Sequence, residues 1–129
     1  MKKKLIIFAG LVVLTIIIVF PGCALFEEEG SAVFWFNGNT AEKWRERGTT
    51  SMIFYVDGDP AGSASTSLFW NSAPECGASG SITVVKDLGT KTSKSFSYRV
   101  IDQKGSLCYS GDIEITANHC QKLQLTWYE

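Results

Sequence analysis

From residue 32 onward the chain alternates apolar and polar residues with a period of two, the spacing that buries one face of a β-strand and wets the other. Five runs show it: residues 32–37 (AVFWFN), 51–57 (SMIFYVD), 65–70 (STSLFW), 81–86 (SITVVK) and 95–102 (SFSYRVID). Two more follow at residues 106–117, with a bend expected at Gly111, and at residues 122–127. Phe96, Tyr98 and Val100 share one face, as do Ile113 with Ile115, and Leu123, Leu125 and Trp127; these are the expected core. Between the runs lie turn formers: Asp57-Gly58-Asp59-Pro60, residues 71–80, Asp87-Leu88-Gly89, Gln103-Lys104-Gly105 and Asn118-His119. About seven short strands with no βαβ rhythm predict an all-β fold, an antiparallel two-sheet sandwich of the immunoglobulin-like kind.

One stretch breaks the rhythm. Residues 40–48 predict a two-turn helix, with Asn39 as N-cap, Glu42 at N3 and Gly48 closing the far end. So short a helix depends on packing, which Trp44 is placed to supply.

The first 23 residues read as an address rather than as part of the fold. Lys2, Lys3 and Lys4 precede an apolar run over residues 5–20, which ends in Phe20-Pro21-Gly22-Cys23. The arrangement resembles the lipobox of bacterial lipoproteins, in which a small residue precedes a cysteine that is lipidated and becomes the first residue after cleavage. That resemblance implies a signal peptide at residues 1–22, acyl chains such as palmitate on Cys23, and attachment to a membrane through lipid. The competing reading is an uncleaved anchor helix, because the run approaches the roughly 20 apolar residues that span a bilayer. Pro21-Gly22 would break that helix and argues against it. Both readings place the remainder outside the cytoplasm.

Residues 23–31 form an expected acidic tether, with Glu27, Glu28 and Glu29 ahead of a single domain at residues 32–129. The tether reads as a solvated spacer whose like charges hold the domain off the lipid surface. It also resembles the acidic signal that sends some lipoproteins to the outer face of the outer membrane. Ala24 stands where, by family analogy, an Asp would retain the protein at the inner membrane, so the expected location is the cell envelope at the outer membrane.

Beyond residue 22 nine Lys and Arg remain (12 less the three of the leader) against 13 Asp and Glu, a formal charge of about −4. Nucleic acid is excluded as a partner by that balance, since phosphate binding needs clustered cations and the one dense patch, Lys43, Arg45 and Arg47, is interrupted by Glu46.

With Cys23 assigned to lipid, Cys76, Cys108 and Cys120 allow one bridge in three ways. Cys76 with Cys120 is favoured because both follow turn residues, whereas Cys108 lies inside a strand run; Cys108 with Cys120 is the alternative. Closing residues 76–120 would contribute roughly 3 to 4 kcal/mol in the chain-entropy model.

The mature domain resembles a family of small, uncharacterised lipoproteins of the Gram-negative cell envelope. The likeness rests on Val33-Phe34-Trp35-Phe36, on Ile53-Phe54-Tyr55-Val56-Asp57-Gly58 with Gly62, on Ala73-Pro74-Glu75-Cys76-Gly77 and on residues 116–125 (TANHCQKLQL). It implies a β-sandwich stapled by the cysteines matching Cys76 and Cys120, with no activity attached.

Catalytic constellations are missing. The lone His119 excludes sites built on two histidines, and Gly77-Ala78-Ser79-Gly80-Ser81 is out of register for a nucleophile elbow. Asp57 and Asp59 share one turn but lack the further oxygens a calcium loop requires, so neither an enzyme, a metal nor a cofactor is expected. Aromatic content is the remaining signal: four Trp, eight Phe and four Tyr. Phe34 and Phe36 should point one way and Trp35 the other, which leaves rings near the surface. Trp35, Trp44 and Trp70 are the candidate ligand-facing aromatics, since exposed rings stack on sugars or anchor protein partners. The expected function is a membrane-anchored, non-catalytic interaction or structural module of the envelope, the alternative a carbohydrate-binding accessory domain.

Overall fold

Alternation along Ser51–Val56 becomes a strand whose Met52, Phe54 and Val56 are buried while Ser51, Ile53 and Tyr55 face outward. The computed structural model describes residues 27–127, and within them seven strands and one helix follow in the order β1 (Glu28–Trp35), α1 (Gly38–Glu46), β2 (Ser51–Val56), β3 (Asp59–Ser65), β4 (Ile82–Gly89), β5 (Ser93–Asp102), β6 (Leu107–Thr116) and β7 (Cys120–Gln124). They form two sheets, β4-β1-β7 and β3-β2-β5-β6, packed as a sandwich. The all-β expectation holds, with one exception to antiparallel pairing: β1 and β7 run parallel, Ser31 beside Cys120 and Trp35 beside Gln124. The chain leaves β6 beside Gly30 and crosses to the other sheet, so β7 sets out from the same pole as β1.

Three elements depart most from the sequence reading. First, β1 begins at Glu28, four residues inside the expected tether. Glu28 and Glu29 pair with Gly89 and Asp87, and the Glu29 carbonyl accepts from the Asn118 N–H at 2.8 Å, so backbone pairing outweighs the charge of the side chains. Gly30 is required there, because a Cβ would stand 2.3 Å from the Thr116 carbonyl oxygen. Second, the expected strand at residues 65–70 is absent. Thr66 is buried, its hydroxyl donating to Thr49 O at 2.9 Å, and the Leu68 N–H turns back to Ser65 O at 3.2 Å. The strand lies instead at Asp59–Ser65, whose small residues read as a turn in isolation; strand preference follows the neighbours a residue packs against more than its type. Third, the helix starts earlier. Asn37, not Asn39, is the N-cap and its side chain accepts from the Thr40 N–H at 3.0 Å; Gly48 follows the helix at φ 88°, the left-handed conformation that suits glycine.

The core lies between the sheets. Phe34 of β1 meets Phe54 of β2 and Tyr98 of β5 with ring centroids 5.6 and 5.3 Å apart, joining both sheets through one side chain. Phe96, Val100, Ile113, Ile115 and Leu125 are buried as expected, while Tyr98 and Leu123 are half-buried against them. Trp127 departs from that face: β7 ends at Gln124, and the indole packs edge-on against Trp44 at 4.8 Å.

Val33 faces away from this core and is nonetheless fully buried. Its cover is the segment before β4, tied beside it at three points. Cys76 is bonded to Cys120, the Glu75 carboxylate meets Lys122 Nζ at 2.9 Å, and the Gly77 N–H donates to Thr83 Oγ1 at 2.9 Å; Thr83 and Lys122 are the register partners of Val33.

Candidate functional site

The chain between β3 and β4 shapes the surface most suited to binding. After Thr66 it passes over the end of β1, where the Trp70 N–H donates to Phe36 O at 3.1 Å and Phe69 lies on Gly38, a position where any Cβ would come within 2.9 Å of the ring. Beneath this crossing is a cleft of about 260 Å³, walled by Trp35, Phe36, Leu68 and Trp70 and floored by Phe34 and Ile82, with Ser63 and Ser65 of β3 along one side. No ionisable side chain lines it. Its volume falls just below the roughly 300 Å³ at which small-molecule sites begin, so it admits one bulky side chain or one sugar-sized ring.

Two of the three candidate tryptophans, Trp35 and Trp70, are thus brought together, and the third is not. Trp44 lies on α1 with its indole N–H donating to Tyr109 Oη at 2.8 Å and its ring edge-on to Tyr109 and Trp127; Tyr109 Oη in turn donates to Thr126 O at 3.0 Å. These contacts commit Trp44 to fastening the helix, the pinning role expected of it, and remove it from the ligand-facing set. The Arg47 guanidinium lies over the Trp127 ring at 5.1 Å. Sequence reasoning missed Leu68 as a wall of the cleft, although it is 74% exposed. Residues 61–74 contain no Asp, Glu, Lys or Arg, and that uncharged stretch was the available signal.

The favoured disulfide is formed, Cys76 to Cys120 across 44 positions, and among the described residues Cys108 is the free thiol. Cys23 lies outside the described residues. The Cys108 thiol is pushed from 9.0 up to about 11, by burial first and by the Asp102 charge second. It should therefore be sluggish toward iodoacetamide. A rise of that size lowers the thiolate fraction at pH 8 about a hundredfold, and the greater nucleophilicity of the more basic thiolate returns about tenfold, leaving alkylation about tenfold slower than in a model peptide. Mass-resolved labelling from pH 7 to 12 should follow a titration near 11; a midpoint near 9 would show a solvated thiol. The sign for stability is the same: the thiol is neutral in both states below pH 9, and ionisation of the unfolded chain removes stability as pH rises from about 9 toward 11.

The other polar groups singled out in the sequence serve turns. Asp57 (φ 55°) and Gly58 (φ 83°) make the β2–β3 reversal, and Asp59 pairs with Lys86 at 3.8 Å. His119 is exposed beside Asn118 (φ 57°), its carbonyl accepting from the Ser31 N–H at 3.1 Å. Ser81 Oγ bonds to Thr83 Oγ1 at 2.7 Å. Among the described residues no three His, Cys, Asp or Glu side chains are grouped to hold a metal.

Fold and site together define a disulfide-pinned, seven-strand β-sandwich with an uncharged aromatic cleft at one end. No family model, curated protein or solved structure matches the chain.

Proposed function

We propose that the protein is a lipid-anchored, non-catalytic interaction module of the cell envelope, of the kind its lipobox-like leader and mature motifs resemble, held at the outer membrane through Cys23. The observation that supports docking is the cluster at the mouth of the cleft: Leu68 and Phe69, 74% and 47% exposed, stand beside Trp70 with no charge among them. Apolar side chains held out by a bonded backbone are the usual anchors of an interface. The test is a photo-crosslinking residue placed at position 68 of the full-length protein in its own membrane, with the intact mass of the extracted protein measured alongside. A mass of residues 23–129 plus acyl chains, with discrete adducts at position 68, is the expected result. An unprocessed, unacylated mass overturns the anchor, and adducts no more abundant than from exposed Lys91 overturn the docking role.

One observation favours a second reading. Trp35 and Trp70 share the cleft with the hydroxyls of Ser63 and Ser65, a pairing of rings and hydroxyls suited to an uncharged sugar. In that case neutral glycans quench Trp fluorescence in the native protein, and Trp70→Ala abolishes the change; absence of quenching at millimolar glycan removes this reading.

A further inference from the structure

Asn37-Gly38 is the one Asn-Gly pair in the chain. Glycine has no Cβ to shield its own amide nitrogen, so in a mobile segment that nitrogen reaches the side-chain carbonyl carbon of the preceding asparagine with little hindrance. Here the pair is built into the junction between β1 and α1. Asn37 is half-buried and caps the helix, and Gly38 cannot carry a side chain, because the Phe69 ring lies 2.9 Å from where a Cβ would stand.

The junction offers the nucleophile and withholds the geometry. The Gly38 N–H is the first amide of α1, one of the donors a helix leaves without an internal acceptor, and no acceptor among the described residues takes it. Closing a five-membered imide ring requires the Gly38 nitrogen and the Asn37 Cβ to eclipse about the Cα–C bond, which means rotation away from ψ 179°. Two bonds resist that rotation. Asn37 Oδ1 accepts from the Thr40 N–H and the Asn37 main-chain carbonyl accepts from the Ala41 N–H, each at 3.0 Å. Ring closure therefore waits on fraying of the first helical turn.

We propose that Asn37 is a site of spontaneous deamidation, gated by its own helix cap, and that the reaction unseats the Trp70 wall of the cleft. In the frayed turn the Gly38 N–H gives its proton to hydroxide and the nitrogen attacks Asn37 Cγ. The Cγ–N bond of the side-chain amide breaks and ammonia leaves, forming the imide; water then opens either imide carbonyl, and no oxidant or reductant takes part. Opening at one carbonyl gives aspartate, which caps a helix as well as asparagine does. Opening at the other gives isoaspartate, whose main chain runs through Cβ and is longer by one methylene. That extra atom falls between two seats of the same segment, since Phe36 O accepts from the Trp70 N–H at 3.1 Å and Gly38 carries the ring of Phe69. Isoaspartate moves the seats apart, so the two contacts no longer hold together. The reaction needs no partner in the cleft.

The test keeps the full-length protein in mildly alkaline buffer beside a guanidinium-unfolded sample. Conversion at Asn37 is followed by peptide mass, with isoaspartate told from aspartate by electron-transfer fragmentation. Asn37 is expected to convert about fivefold more slowly in the native chain, the factor a typical cap supplies, while Asn71, exposed ahead of Ser72, converts alike in both samples. Equal rates at Asn37 overturn the gate, and Asn37 still intact after about a hundred half-lives of the unfolded chain overturns the site. The effect on the cleft is read separately. Asn37→Asp reproduces the aspartate product, and the isoaspartate form is isolated from aged protein by chromatography. Hydrogen exchange at the Trp70 amide is expected to be about fivefold faster in the isoaspartate form than in the parent or Asn37→Asp, the change for one lost backbone hydrogen bond. Unchanged exchange in that form overturns the link to the Trp70 wall.

Discussion

Truncating Phe34 to alanine is expected to cost the domain about 3–5 kcal/mol, the range for a buried aromatic whose cavity cannot collapse. The position makes relaxation hard. Phe34 is 1% exposed, lies on the central strand of its sheet, and touches Phe54 and Tyr98 of the opposite sheet at 5.6 and 5.3 Å. Closing the void would mean moving the sheets together, which α1 and the backbone bridge from Gly30 to Ala117 oppose. Single domains hold about 5–15 kcal/mol in all, so the variant should populate unfolded chain without denaturant or lie close to doing so. Urea unfolding followed by Trp fluorescence measures it. A loss under about 1 kcal/mol would mean that the inter-sheet contact is not the seat of stability. Phe34→Leu keeps most of the volume and is expected to recover more than half of the loss.

The second large effect is expected from the Cys76–Cys120 bond. Opening it releases a closed loop of 44 positions, worth roughly 3–4 kcal/mol by loop entropy, and unfastens the segment that covers Val33. The Cys76→Ala/Cys120→Ala double variant should melt about 15–25 °C lower than the parent, at the 4–8 °C per kcal/mol of a domain this size. Hydrogen exchange separates the two contributions. Release of the cover accelerates exchange in residues 75–85 and at the Ser31–Val33 backbone under conditions where the amides of β2 and β5 remain protected. A uniform acceleration would show instead that the bond acts on the whole domain through the unfolded chain. The Glu75–Lys122 ion pair, 80% and 33% exposed, is too solvated to hold the segment alone.

Much of this architecture was legible in local pattern. Alternation is a property of successive residues, so the strands β2, β5 and β6, and the buried faces of β5 and β6 with Phe96, Val100, Ile113 and Ile115, were readable without any knowledge of their partners. Trp44 was readable as the helix fastener because an amphipathic stretch too short to stand alone must pack through its largest side chain. The errors fell where a distant partner overrides local preference. The run at residues 65–70 has the aromatic content of a strand, but the buried Thr66 hydroxyl binds two carbonyls of the neighbouring segment and turns the chain. Residues 59–65 have the composition of a turn, but β2 offers them a ladder. The acidic residues 28 and 29 read as a tether until β4 and Asn118 supply their backbone partners.

The cleft belongs to the same category. Trp35 and Trp70 are 35 positions apart, and nothing in either neighbourhood shows that one wall will meet the other; the crossing of residues 66–70 over β1 brings them together. By itself the sequence determined the fold class, the elements that alternate and the favoured cysteine pair, because each follows from composition or from spacing within a few residues. Only the tertiary structure decided the parallel pairing of β1 with β7, the true position of β3 and the separation of Trp44 from Trp35 and Trp70. Those depend on which backbone groups and side chains meet across long stretches of chain, and such contacts have no local signature.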